Sequence, residues 1–395
     1  MKRIIILTLT CFSTIAGYGQ ITRTHKIALG LGNEWNPFLS PNTLVEDGET
    51  TAREELWDNG TYQSLSLKNS LKIEGEKYRL KFKVNGSLGI YQTEEDANRF
   101  TYRLGVSYRL KYASKKYFEF APELFRKRRE GINADNAVLT TPFSYSLFQA
   151  PIGLDFYLGN KAWLKTKTGY LYKNYDKAQG EELYYQAPFF EASISKKWDS
   201  KNAVKKISLR SATQFRKYQT LSLINASEEE EEPEEENVYR EGSRNWTYQF
   251  TDLVLDISGN DGPQKLGIGL YHISRIDADK RSTYHELGPG IQYQLQSAKA
   301  GVKASLKFTI RSYQRLAPGS DNDVPLQYEY IRANIELYHA LSKQSQIYSK
   351  GNIVNRTSNN PNQESLSFRE YFNGYAEIGI RWTLLKPNPP LLYGP

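Results

Sequence analysis

The chain has 395 residues, one cysteine, one methionine and 29 tyrosines, with a formal net charge of +8 at pH 7. Its mean hydropathy of −0.63 leaves no segment long and apolar enough to cross a bilayer as a helix. These values exclude a helical membrane bundle, and a single cysteine excludes a disulfide framework.

The amino terminus reads "MKRIIILTLTCFSTIAGYGQ". Lys2 and Arg3 precede a short apolar run, and Gly17 and Gly19 stand at the −3 and −1 positions before Gln20. That order predicts a secretory signal peptide over residues 1–19. Cys11 falls inside it, so the exported chain carries no cysteine. No proline- or glycine-rich linker divides the remainder, and a single unit over residues 20–385 is expected.

From Ile27 onward the dominant period is two. In "YRLKFKVNGSLGIY", Tyr78, Leu80, Phe82, Val84, Leu88 and Ile90 alternate with Arg79, Lys81, Lys83, Asn85 and Ser87. Tyr102 to Tyr112 alternate with Arg103, Ser107, Arg109 and Lys111. Ile152, Leu154, Phe156 and Leu158 alternate with Gly153, Asp155 and Tyr157. Val302 to Ile310 alternate with Lys303, Ser305, Lys307 and Arg311. Phe372, Ala376, Ile378, Ile380 and Trp382 close the series. Helical spacing would scramble these sets, so they read as strands with one apolar and one polar face.

Very short connections fall near residues 74–75, 114, 159–161, 199–202, 259–262, 297–300 and 340–344. Longer polar ones lie between them, near 37–58, 93–98, 131–140, 176–181, 221–239, 277–280, 316–325 and 356–364. Short and long alternate strictly, as the two ends of a transmembrane up-and-down antiparallel β-barrel do. The count predicts an all-β barrel of about 16 strands with short periplasmic turns and longer extracellular loops. Prolines 122, 151, 188 and 289 fall in or beside strands, which keeps 14 strands open.

With the leader "GYGQ" and the last strand "YFNGYAEIGIRW", the chain resembles a Gram-negative outer-membrane β-barrel protein, porin-like and of the tyrosine-rich kind common in Bacteroidota. The resemblance is general and points to no subfamily. It implies outer-membrane lipid as surroundings and recognition of the terminal strand by barrel-assembly machinery. The chain departs from that pattern by continuing past Trp382. Residues 386–395 are expected to form a proline-rich periplasmic tail that cannot extend a ladder.

Chemistry-bearing clusters are few. His25 is expected before the first strand and His339 near a short turn. His285, with Glu286 and Asp279, is the one arrangement resembling a base with its orienter, and an ordinary rim histidine near acids explains it better. The stretch "DADKRSTYHE" lacks the glycine and terminal glutamate of a calcium-binding loop. No catalytic site, cofactor or metal site and no nucleic-acid partner is expected.

Charge is more informative. Glu228, Glu229, Glu230, Glu231, Glu232, Glu234, Glu235 and Glu236 form an acidic run inside the predicted extracellular loop 221–239. Their repulsion suits a solvated loop, one able to attract divalent cations or a basic partner. Without Lys2 and Arg3 the net charge is +6, and without the eight glutamates it rises to +14. Much of this excess shares the polar parity: Arg79, Lys81, Lys83, Arg109, Lys111, Lys165, Lys167, Lys303, Lys307 and Arg311. Acids of the same parity (Glu119, Glu123, Asp155, Glu191, Glu336 and Glu377) are available to pair with part of it.

Two functions follow. A water-filled lumen with this basic lining would be a porin-like channel favouring small anionic solutes. A lumen filled by paired charges would instead be a non-conducting platform for surface assembly, secretion or attachment. A lipid-modifying or proteolytic barrel is a distant third.

Overall fold

The structure is a computed structural model that describes residues 20–46, 49–52, 58–93, 95–130, 132–133, 141–176, 183–200, 203–220, 244–259, 263–277, 283–314, 325–360 and 370–386. The signal peptide, the eight glutamates of the acidic run, Asp279 and the tail beyond Lys386 lie outside them.

Sixteen strands follow one another around one sheet: β1 (Gln20–Trp35), β2 (Asn59–Glu74), β3 (Tyr78–Tyr91), β4 (Arg99–Ala113), β5 (Lys116–Phe120 and Glu123–Arg128), β6 (Tyr145–Gly159), β7 (Ala162–Tyr175) and β8 (Leu183–Asp199), then β9 (Ala203–Thr220), β10 (Arg244–Gly259), β11 (Gln264–Asp277), β12 (Tyr284–Gln296), β13 (Ala300–Tyr313), β14 (Gln327–Ala340), β15 (Ser345–Ser358) and β16 (Tyr371–Lys386). Every neighbouring pair is antiparallel. β1 pairs with both β2 and β16, which closes the barrel and removes its edges.

The prolines do not reduce the strand count. Pro122 interrupts β5, but its two segments keep one register against β4 and against β6. Val106 N donates to Pro122 O at 3.0 Å and Ala121 N to Pro151 O at 3.1 Å, so the carbonyls at the gap stay in use. The register also runs through Pro188 and Pro289 without slipping. Missing donors thus cost single ladder bonds rather than strands.

One end carries the tight turns. Gly75 N donates to Tyr78 O at 2.9 Å and Ser297 N to Ala300 O at 2.9 Å. Between β6 and β7, Asn160 and Lys161 both take positive φ (46° and 59°), as a two-residue turn matched to strand twist requires. The long connections all leave the opposite end. The first of them contains a hairpin, Thr43–Glu46 with Glu49–Ala52, and is tied down where Asn42 N donates to Glu370 O at 2.8 Å.

Two expectations at the termini are corrected. β1 begins at Gln20, so His25 lies within a strand, 3.0 Å from Asn69 Oδ1. The last strand runs to Lys386, one residue past the expected boundary at 385, with Thr383 to Lys386 paired to Lys26 to Arg23.

The two faces differ as the alternation requires. Leu29, Leu31, Val84, Leu154, Ile194, Ile268, Leu306, Ile335 and Ile378 stand on the outer face and are largely exposed. A continuous exposed aliphatic band on a closed sheet is stable against hydrocarbon and not against water. No helix among the described residues is long and apolar enough to cross a membrane, and the strands perform the crossing. Replacing Leu306, 49% exposed in mid-strand, with Arg is expected to destabilise the barrel by about 2–4 kcal/mol. Ser305→Arg, one residue away on the inner face, should cost much less. Urea unfolding in lipid vesicles would measure both.

Candidate functional site

The candidate site is the inner wall. Every residue of the predicted basic stripe lies on it, opposite in parity to the exposed aliphatic band. Arg109 binds Asp155 at 2.7 Å, a partner two strands away on β6, and Lys165 approaches the same carboxylate at 4.0 Å. Lys167 and Arg210 share Glu191 at 3.4 and 2.8 Å. Arg311 donates to Glu286 at 2.9 Å, and Lys307 sits 4.4 Å above the Tyr271 ring. Arg79, Lys81, Lys83, Lys111 and Lys303 have no carboxylate partner among the described residues.

The unpaired group is concentrated near the tight turns. There the register sets like charges directly opposite one another: Lys26 with Lys68, Lys72 with Lys81, and Arg79 with Arg109. Direct like-charge pairing across strands is unfavourable unless water or an anion screens it. Ser70, Ser107 and Asn85 add hydroxyl and amide groups to the same wall.

The long-loop half of the lumen is built differently. Inner glycines make room for inward tyrosines: a Cβ on Gly32 would stand 2.6 Å from the Tyr62 ring, and one on Gly30 would meet the Tyr348 hydroxyl at 2.7 Å. Tyr62 and Tyr348 donate to Glu377 at 3.0 and 2.7 Å, and Lys350 binds it at 2.9 Å. Glu34, 3% exposed, accepts from the Tyr91 hydroxyl and from Arg99 and Arg129 at 3.2 and 3.3 Å. Arg99 also stands 4.7 Å from Tyr62 and 5.9 Å from Tyr375, so side chains of β1 to β5 and β16 converge at one point.

From β6 to β16 the same level holds one large side chain per strand in unbroken contact. Tyr145, Tyr175, Tyr185, Tyr218 and Trp246 follow at centroid spacings of 6.0, 6.4, 4.7 and 4.9 Å. Arg275 lies 4.4 Å from Trp246 and 4.6 Å from Tyr284. Tyr284, Tyr313 and Tyr328 continue at 5.3 and 5.8 Å, and Arg356 joins Tyr328 to Tyr371 at 4.4 and 4.8 Å. Each Arg–aromatic contact of this kind contributes about 1–2 kcal/mol when desolvated. This girdle escaped the sequence analysis, which grouped most of the strand tyrosines it named, such as Tyr78 and Tyr102 to Tyr112, with the apolar face. Its one sequence signal is that many of the tyrosines beside the long loops share the parity of the inner cations.

The histidine arrangement dissolves. His285 points outward beside His272, with ring centroids 5.7 Å apart, while Glu286 points inward, where Arg311, Arg332 and Thr309 hold it. The acidic run cannot be placed, since it lies outside the described residues. Among those residues no group of three or more His, Cys, Asp or Glu is arranged to hold a metal.

No family model and no curated protein matches the chain. Solved structures similar in fold include OccAB3 of Acinetobacter baumannii, with 7% identity over 93% of this chain and 100% of that one and a TM-score of 0.48. The outer membrane channel DcaP of Acinetobacter baumannii has 10% identity over 93% and 98%, with a TM-score of 0.46. An anion-selective porin from Comamonas acidovorans has 11% identity over 93% and 100%, with a TM-score of 0.43. At such identities the likeness is one of barrel fold.

Glu34→Gln removes the only carboxylate between Arg99 and Arg129 among the described residues and is expected to cost about 3–5 kcal/mol. Glu74→Gln, where the exposed acid meets Lys72 alone, should cost less than about 1 kcal/mol. Unfolding midpoints of the two variants in one lipid would test the contrast.

Proposed function

We propose that the chain is an outer-membrane channel whose basic lumen favours small anionic solutes. The observation that carries the proposal is the set of inner cations without a carboxylate partner among the described residues, Arg79, Lys81, Lys83, Lys111 and Lys303, together with the opposed like-charge pairs near the β2–β3 turn. A lysine wall of this kind lowers the energy of an anion in transit and raises that of a cation. The concave wall between β10 and β16 supports the same reading. It holds a cavity of about 410 Å³ bordered by three cations, Lys265, Lys303 and Lys350, and two acids, Asp256 and Glu336, with Lys265 paired to Asp256 at 3.2 Å and Lys350 to Glu377 at 2.9 Å, so Lys303 supplies its surplus charge.

Placement in the outer membrane of a Gram-negative bacterium belongs to the same proposal. The signal-like leader, the closed barrel and its aliphatic band support it, while tyrosine richness alone supports a Bacteroidota origin. Outer-membrane lipid around the band and assembly machinery at the terminal strand are the partners this reading implies. The acidic run is proposed to gather divalent cations or a basic partner at the cell surface.

One observation favours the second reading, a non-conducting platform: the long-loop half of the lumen is lined by buried tyrosine and arginine. Planar-bilayer recording separates the two. In a KCl gradient the reversal potential should show anion preference. Replacing Lys81, Lys83, Lys303 and Lys307 together with Gln should lower the anion-to-cation permeability ratio at least about twofold. Cation preference would overturn the anion proposal, and an absence of current would favour the platform.

A further inference from the structure

At the tight-turn rim, inside the wall, lies a cavity of about 420 Å³ bordered by the β2–β3 turn and by β3, β4, β5 and β7. Its geometry is fixed by two short backbone bonds. Gly75 N donates to Tyr78 O at 2.9 Å, and Lys111 N donates to Lys77 O at 2.6 Å. Cations occupy the β3–β4 side, with Arg79, Arg109 and Lys111 in addition to Lys77 from the turn. Rings occupy the other side. Tyr117 and Trp163 stand 6.3 Å apart and 28° from parallel, and Tyr157 packs against Trp163 at 5.2 Å.

These groups are not equally free. Arg109 already donates to Asp155 at 2.7 Å and stacks 4.2 Å from the Tyr117 centroid. It is a fixed wall, and its Nε has no hydrogen-bond acceptor among the described residues. Arg79 is directly opposite Arg109 on β4 and Glu74 on β2, and neither Arg79 nor Lys111 makes an ion pair with a carboxylate among the described residues. Two acids border the cavity as well, Glu74 and Glu76, and Glu74 is held by Lys72. Tyr117 is stacked by Arg109 on one face, and the partly buried Tyr117 and Trp163 rings present their remaining aromatic surface beside a surplus of positive charge.

We infer that this rim cavity binds a planar ring bearing an anionic group, such as an aromatic carboxylate, with Arg79 and Lys111 taking the anion and Tyr117 and Trp163 the ring. A guanidinium pairs with a carboxylate through two parallel N–H···O bonds. Aromatic faces favour an offset or edge-on partner ring over an aliphatic one of equal size. A simple anion would use the first half of the site only.

The inference rests on the placement of these residues and not on conduction, so binding is measured without current. The full-length barrel in detergent micelles is titrated calorimetrically with benzoate, cyclohexanecarboxylate and inorganic phosphate. Benzoate should bind at least about fivefold more tightly than cyclohexanecarboxylate. Trp163→Leu should bring the two to equal affinity, and Arg79→Gln should weaken benzoate at least about fivefold. Lys299→Gln, in the turn between β12 and β13, should leave benzoate unchanged. Equal affinity for the two carboxylates in the unaltered protein would overturn the inference, as would equal losses from Arg79→Gln and Lys299→Gln. Phosphate binding as tight as benzoate would also overturn it, because the site would then recognise charge alone. The comparison of ligands on the unaltered chain holds even if a variant fails to fold. A barrel that binds benzoate yet carries no current would leave this inference standing and remove the channel proposal.

Discussion

The structure depends on one constraint: a backbone in hydrocarbon must find all its hydrogen bonds within itself. Pairing β1 with both β2 and β16 satisfies that constraint around the whole ring. Once the ring is closed, successive side chains alternate between lipid and lumen with no third environment. A charge in the sequence is then on the inner face or near a membrane boundary. This is why a polar chain with a strong basic excess can still cross a membrane. It is also why Pro122, Pro151, Pro188 and Pro289 are tolerated singly: each removes a donor, and the strands on either side hold the register.

Closure creates an interior that must itself be stabilised, and the two halves of the lumen do this differently. Toward the long loops, carboxylates are buried and each is surrounded by donors, as at Glu34, Glu286 and Glu377. Guanidinium groups fill the spaces between tyrosines, whose ring faces accept a weakly hydrated planar cation more readily than a lysine ammonium. Toward the tight turns, lysines prevail and several have no carboxylate partner among the described residues. Residue choice thus marks two levels on one wall, one of buried, mutually paired groups and one of more exposed lysines.

Parity, strand count and loop alternation were legible in the sequence because they follow from a period of two and from turn chemistry. The inward direction of Lys81 or Lys303 was legible for the same reason. Pairing was not. Asp155 meets Arg109 across an intervening strand, and only the three-dimensional register brings them to 2.7 Å. Tyrosine also defeats a parity argument, since a phenol suits both a lipid interface and a polar interior. Tyr108 and Tyr112 share the outer parity, while Tyr218 and Tyr313 belong to the buried inner girdle. His285 and Glu286 illustrate the converse: neighbours in sequence on a strand are on opposite faces and cannot act on one another. At the carboxyl end, the expected barrel boundary at 385 falls one residue short of the described strand, in which Lys386 still pairs with Arg23.

The division of the lumen bears on where any solute would be held. In the proposed channel, anions entering from the tight-turn side would first meet lysines without a carboxylate partner among the described residues, and would screen the opposed pairs Lys72–Lys81 and Arg79–Arg109. Further along, the cations are already satisfied: Arg311 by Glu286, Arg99 and Arg129 by Glu34, and Lys350 by Glu377. A satisfied pair neither attracts nor releases a passing ion strongly, and its rings and guanidinium groups are locked by mutual contact. In the proposed channel, attraction and obstruction would therefore be separated along the barrel axis: charge selection would belong to the lysine wall, and the limit on passage to the tyrosine–arginine level above it.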